Sequence, residues 1–438
     1  MGIMSEIEEV PSATTEGRLH QEVLSTLTRF TDWLAFYGET SWDHQSYYAG
    51  PIGRWAKSLY YKSRKIGTAA VAPMVFSEAF VPHARRLFHH RIRLPIADAH
   101  YAMGFAFLFE TTGKHFFFGR AVHFLNILKQ TRCPGFNEYC WGYPFEWVTR
   151  GGMIARETPL ITTTPYVYEA FAQLYDIEAR DEWKQVLSSI ARHVANDIKE
   201  FDEGPNASRS SYTPFDSGSV INAAAYRAAL LTSASQLLGD AEYWRRAERN
   251  LNFVLQTQQG DGSWLYAADG VRDFVDHFHT CFVMKALAKI HALTNHGGCG
   301  RALDLAVEYY LENLFDADGL PKPFAKAPRL TVYKRELYDC AECINLCLLL
   351  GEKYPQLNRG LETVVGHILE QWVKPDGSFR SRRLHFGWDN VPMHRWGQSQ
   401  MFRSLAFYLR EHSSRPVSEN AAARNRCGDQ MPLAAFTR

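Results

Sequence analysis

The sequence predicts an all-α protein, a closed (α/α) toroid of six to seven helical hairpins, and three observations lead there. Two stretches, Gln256 to Ala292 and Gln371 to Leu409, repeat each other at a constant offset. The offset matches Gln256 with Gln371, Asp261-Gly262-Ser263 with Asp376-Gly377-Ser378, Trp264 with Phe379, and His279 with His394. A weaker third copy carries Asp318-Gly319 about midway, so the unit recurs roughly every 57 residues. Units of that size must stack on their neighbours to bury their apolar faces. Secondly, apolar residues recur at three and four residues nearly throughout, and strand patterns are nearly absent. Thirdly, the helices alternate in character. DEWKQVLSSIARHVANDIKEF is charged on one side, whereas INAAAYRAALLTSAS is poor in charge and rich in small residues. A helix wet on one face belongs outside and a nearly apolar one inside. Closing the array also removes the two ends that an open one must cap.

In chain order the hairpins are predicted as follows. The first pairs 20–38 with 51–66, the second 77–90 with 96–113, and the third 118–131 with 164–178 across a long aromatic insertion, 133–163. The fourth pairs 181–201 with 217–239 and the sixth 300–315 with 337–354; the fifth and seventh are the two matching stretches. Polar, aperiodic ends, 1–16 and 413–438, are expected as loose tails around a single domain, 17–412.

Composition narrows the function. Hydrophobic residues make up 46% of the 438 and charged ones 22%, enough for a large core, and 14% aromatic content suits a core or a sugar cleft. A net charge of +1 gives no electrostatic case for nucleic acid or for an anionic membrane. The acidic start, MGIMSEIEEV, lacks a signal-peptide pattern, and no apolar run reaches the length of a membrane span. Eight cysteines, three of them (Cys340, Cys343, Cys347) in one apolar helical run, read as reduced core residues. A cytoplasmic protein is therefore expected. Cys340 and Cys343 form a C-x-x-C with no second pair, so no metal is expected; without a phosphate loop, a G-x-S-x-G or an H-E-x-x-H, no cofactor is expected either. Oligomeric state is left open.

In a toroid, all outer-to-inner loops open on one face, and there the sequence collects its unusual residues: Asp276-His-Phe-His279, Trp141-Gly-Tyr-Pro-Phe-Glu-Trp147, Tyr212 to Ser219, and Trp388 to Trp396. A cleft walled by aromatics with a few polar groups is what a ligand site needs. Glu146, between Phe145 and Trp147, is the candidate general acid, and Asp216 or Asp339 the candidate base. Trp147, Trp264, Trp388, Trp396 and Tyr338 are candidates to stack on sugar faces. His394 and Arg395 are candidates to hold a carboxylate, and His279 or Tyr338 to remove a proton next to one. Each has a structural alternative: Asp216 as a cap or Asx turn, Trp264 as packing between hairpins, and the two histidines as a shared packing feature.

The Gln-x-x-x-x-Asp-Gly-Ser-Trp stretch resembles the QW-type repeats of terpene cyclases and protein prenyltransferase β-subunits, but the acidic motifs of terpene chemistry are missing. The wider pattern, YPFEW, a Thr-Pro before an inner helix, DGSW and Asp-x-Phe-His-Thr-Cys-Phe, resembles the six-hairpin glycosidase-like superfamily over roughly residues 90–410. Within it the likeness is to bacterial polysaccharide-biosynthesis proteins and, more remotely, to the C-terminal domain of glucuronyl C5-epimerases. This resemblance implies a carbohydrate-active enzyme on a glycan or acidic sugar. Hydrolysis is the favoured expectation; uronate epimerisation or elimination is the alternative, and a non-catalytic glycan-binding protein a third.

Overall fold

The computed structural model describes residues 15–413. The expected tails lie outside these, but for the first turn of the first helix and Ser413. After α1 (Thr15–Tyr37) the chain makes an excursion through α2 (Ser46–Ala49), α3 (Pro51–Lys62) and α4 (Arg64–Phe80) before α5 (Pro95–Thr112). From there helices alternate regularly: α6 (His115–Gln130), α7 (Thr164–Ile177), α8 (Asp181–Asn196), α9 (Ile221–Leu238), α10 (Ala241–Gln256), α11 (His277–Thr294), α12 (Gly297–Asn313), α13 (Leu337–Leu350), α14 (Gln356–His367) and α15 (Ser399–Glu411).

The odd-numbered helices from α5 to α15 pack in sequence, and α15 packs back along α5, closing an inner ring of six. The even-numbered helices from α6 to α14, together with α1, form the outer ring. Burial follows the expected division. α9 is buried along Ile221–Ala234 without a break, whereas α8 and α10 bury one face only. Closure depends on Gly104: a Cβ there would meet the Phe402 ring at 2.6 Å, and Phe402 in turn stacks on Phe30 at 5.1 Å.

The expected first two hairpins are one. Of their helices only α1 and α5 belong to the rings, with α1 packed on α15, while α3 and α4 make a separate antiparallel pair outside the ring, leaning on the rim. Their helical period is genuine, but α4 turns apolar residues outward instead of into a core, as Phe76 at 62% exposure shows. The ring therefore has six hairpins.

The Asp-Gly-Ser turns carry the repeat symmetry. Asp261 and Asp376 each accept from the following serine's N–H at 3.0 Å and its hydroxyl at 2.7 Å. Gly262 and Gly377 both sit at φ +89, in the left-handed region that glycine tolerates. A Cβ on Gly262 would strike the Leu305 carbonyl of α12, and one on Gly377 the Arg29 carbonyl of α1. Each turn thus docks on the next outer helix, and α1 takes the place after α14. Short strands stiffen the rim: β1 (Trp147–Thr149) with β2 (Gly152–Ile154) and β3 (Glu200–Asp202) with β4 (Ser208–Ser210) are hairpins within single loops, whereas β5 (Val275–Asp276) with β6 (Phe324–Lys326) ties two neighbouring loops together. β7 (Tyr333–Glu336), β8 (Arg382–Leu384) and β9 (Trp388–Asp389) form a three-stranded patch.

Candidate active site

The mouth of the toroid is an unbroken aromatic wall. It runs from Tyr266 to His279 (4.6 Å), to Phe278 (4.3 Å), to Tyr338 (5.1 Å), to Trp396 (4.8 Å) and to His44 (4.6 Å). Across from it Tyr143 packs on Trp147 (5.6 Å), which neighbours Tyr212 (6.4 Å). His279, Phe278, Trp396, Tyr212 and Tyr266 keep part of their surface exposed. Inside a closed ring that surface faces the cleft.

Within this wall one polar pair stands out. Asp276 caps α11, accepting from the His279 N–H at 3.0 Å, and its second oxygen is 2.6 Å from His279 Nδ1. Asp276 is itself fixed by β5 pairing with β6, where it lies opposite Phe324. Both carboxylate oxygens are thereby used on one residue. The imidazole is held with Nδ1 against the carboxylate, so Nε2 is the nitrogen left for the cleft. The His279 side chain is 22% exposed and Asp276 3%.

Below the wall lies a charged floor. Lys285 pairs with Glu342 at 2.5 Å; Lys289 and Arg403 both bind Glu169. The Tyr166 and Tyr226 hydroxyls meet at 2.6 Å, and Lys285 Nζ lies 5.8 Å from the Tyr166 ring and 5.6 Å from Phe282. Phe278, Phe282, Lys285 and Lys289 follow helical spacing down one face of α11, so the floor lies directly beneath His279. Buried pairs of this kind contribute little net stability but fix geometry, and breaking one is costly.

The excursion contributes at the rim. Lys57 of α3 reaches Gln45 Oε1 at 3.2 Å; Gln45 in turn meets His44 Nε2 at 3.0 Å, and His44 packs on Trp396. Burial, then the repulsion of Arg329 and Arg395, pushes the Lys57 ammonium down to about 8.

The structure separates the sequence-predicted residues. His279, Tyr338 and Trp396 stand together in the wall, and Trp147 packs with Tyr143 and Tyr212. The other candidates have partners of their own. Glu146 forms an ion pair with Arg54 at 2.8 Å on the open rim, rather than lying in an apolar pocket. Asp216 accepts from the N–H groups of Tyr212, Thr213 and Gly218 and from the Thr213 hydroxyl, which makes it the tie of its own loop. Asp339 is fully buried, and burial followed by the charges of Glu336, Asp276 and Glu342 pushes its carboxyl well above the usual carboxylate range. Trp264 is 3% exposed and donates to the Val254 carbonyl at 2.9 Å, so it is packed in the core. Trp388 packs edge-on against Trp372, under the Arg380 guanidinium.

His394 takes a hydrogen bond from Tyr101 at 2.6 Å and reaches the Gly38 carbonyl at 3.0 Å; burial pushes it down to about 4. Arg395 is neutralised by Asp43, at 2.9 and 2.5 Å, and is 3% exposed. The repeat offset explains why the two histidines diverge: Val391 stands where the first copy has Asp276, so His394 lacks the carboxylate that orients its counterpart.

Tyr266, Lys57 and the floor residues are the ones sequence reasoning did not single out, while Asp276, Tyr143 and Tyr212 were noted in rim loops but given no role. A legible signal did exist, since Lys285 and Lys289 lie one turn apart in an otherwise apolar helix, and Glu169 and Glu342 sit alone in apolar runs.

No protein-family model matches the chain, and no curated protein matches it. Solved structures do. The unsaturated glucuronyl hydrolase of Bacillus sp. GL1, described as responsible for degradation of glycosaminoglycan, superposes with a TM-score of 0.58 over 91% of this chain and 97% of its own, at 12% identity. Cellobiose 2-epimerase from Bacillus thermoamylovorans gives 0.57 over 72% and 87%, at 10% identity. A D-mannose isomerase gives 0.54 over 73% and 87%, at 14% identity. At such identities the likeness speaks for the backbone alone. The chain has the (α/α) toroid fold of the six-hairpin glycosidase-like proteins.

Proposed function

We propose that this protein is a carbohydrate-active enzyme that transfers a proton at a sugar carbon, with His279 as the base and Asp276 as the residue that positions it. The observation that carries the reading is the 2.6 Å contact between Asp276 and His279 Nδ1, in a ring whose other nitrogen is left to an aromatic cleft. A histidine so held takes a proton at Nε2, and the carboxylate stabilises the imidazolium that forms. The C–H electron pair passes to the adjacent carbonyl or carboxylate as an enolate. The reading gives the Lys57 ammonium at the rim the role of offsetting that charge. Delivery of a proton from solvent to the opposite face epimerises the carbon while His279 keeps the one it took; departure of a group from the next carbon instead completes an elimination.

Phe278, Tyr338 and Trp396 supply the apolar surface for a sugar face. The two neighbours described as an epimerase and an isomerase support this chemistry, and the neighbour described as a glucuronyl hydrolase supports an acidic sugar as substrate. The free, buried thiols fit a reducing compartment, in keeping with a cytoplasmic role in polysaccharide assembly. The test is a panel of reducing disaccharides and uronate oligosaccharides assayed for epimers and for ultraviolet-absorbing unsaturated products. Product formed by the wild type and lost in His279→Gln supports the reading. New reducing ends formed equally by both proteins overturn it in favour of hydrolysis.

A further inference from the structure

We propose that the α2–α4 excursion docks the protein on an anionic lipid surface. The inference is independent of the chemistry in the cleft and rests on the exposed faces of α3 and α4. Ten of the eighteen large apolar side chains exposed among the described residues lie between Ile52 and Phe88. On α4, Ile66, Ala69, Pro73, Phe76 and Phe80 recur at helical spacing along one face, and all five are exposed. Phe76 packs on Phe80 at 4.8 Å, and Phe80 on Phe386 of the rim at 5.8 Å, so the apolar surface is continuous with the mouth. On α3, Ile52 is 74% and Trp55 63% exposed. A helix pair that folds its small residues inward and its large apolar residues outward has an apolar face still to cover.

Charge says what covers it. Between Pro51 and Arg93 the chain has nine Lys and Arg and a single acid, Glu78, although the whole protein carries only +1. Arg54, Arg85 and Arg93 have carboxylate partners. Lys62, Arg64, Lys65 and Arg86 are exposed. Arg64 and Lys65 stand in the first turn of α4, against the helix dipole, a cost that an isolated surface helix has no reason to carry. An aromatic and aliphatic face flanked by basic side chains is the pattern of a helix lying in the headgroup layer of anionic lipid. A second copy of this chain would meet the patch with the same positive charge and be repelled. The mean net charge conceals this patch because the rest of the chain is acidic. Among the described residues no helix is long and apolar enough to cross a membrane, so the contact is with the surface.

The test is co-sedimentation of the full-length protein with vesicles of phosphatidylcholine, alone or with about 30 mole per cent phosphatidylglycerol. The wild type is expected to bind the anionic vesicles and to be released by about 0.5 M salt. The Lys62→Gln/Arg64→Gln/Lys65→Gln variant is expected to lower partitioning on the order of a hundredfold, and Phe76→Ser/Phe80→Ser at least about tenfold. Both sets of side chains are exposed, and an unchanged melting curve confirms that each variant folds. Failure of the wild type to bind anionic vesicles overturns the proposal. So does equal binding by both variants, or a dimer in solution that Phe76→Ser/Phe80→Ser dissolves while vesicle binding is absent.

Discussion

His279 and Asp276 are joined twice, through backbone N–H at 3.0 Å and through Nδ1 at 2.6 Å, so the helix cap and the candidate catalytic pair are one feature. His279→Gln keeps the cap and removes the base; it is expected to cut turnover by about 10²- to 10⁴-fold with little change in stability. Asp276→Asn keeps a capping oxygen but loses the charge that stabilises the imidazolium. It is expected to lower kcat with KM nearly unchanged. Steady-state kinetics beside thermal melts checks both.

Lys57 makes the site sensitive to alkali. With the ammonium at about 8 in the fold against 10.5 unfolded, the burial cost is fully present below pH 8. Between about 8 and 10.5 the folded chain has released a proton that the unfolded chain keeps, so Lys57 makes the protein more stable as pH rises through that window. Binding of an acidic sugar runs the other way and weakens as pH rises through about 8. Lys57→Met is expected to lower affinity below pH 8 by about tenfold and to flatten its pH dependence, as read by calorimetric titration.

Asp43 gives the opposite limit. Burial alone would push its carboxyl up, but the Arg395 guanidinium outweighs this and holds it at about 2. The stabilisation is fully present above the usual carboxylate value near 3.8 and is lost as pH falls toward 2. Asp43→Asn leaves Arg395 buried without a counter-charge and is expected to cost ~3–5 kcal/mol. Urea unfolding at neutral pH measures it, and the loss should be smaller near pH 2.

The toroid was legible because its evidence is local and repeated. Asp261-Gly262-Ser263 and Asp376-Gly377-Ser378 are turns for reasons contained in three residues, and their recurrence implies stacking. The excursion was misread as hairpins because periodicity reports that α4 has an apolar face but not which way the face points. Of the site, the wall residues His279, Tyr338 and Trp396 could be read from inner-helix starts. Asp276 was noted in its rim loop but given no role, because a helix cap and a histidine partner look alike in sequence. His394 was over-read because the repeat suggested equivalence, while Val391 had already removed the partner.

The tryptophans separate packing from binding. Trp264→Phe loses an indole hydrogen bond to the Val254 carbonyl inside the core and is expected to cost ~1–2 kcal/mol of stability with kcat/KM unchanged. Trp396→Ala removes part of the cleft wall and is expected to raise KM. Paired melts and kinetics on the two variants test the assignment, and a KM effect from Trp264→Phe would contradict it.

The most direct test of proton transfer by His279 is to run the reaction in D₂O and examine the sugar carbons by NMR. The account predicts deuterium at one carbon with wild type and none with His279→Gln. Turnover without deuterium at carbon, persisting in His279→Gln, would contradict it.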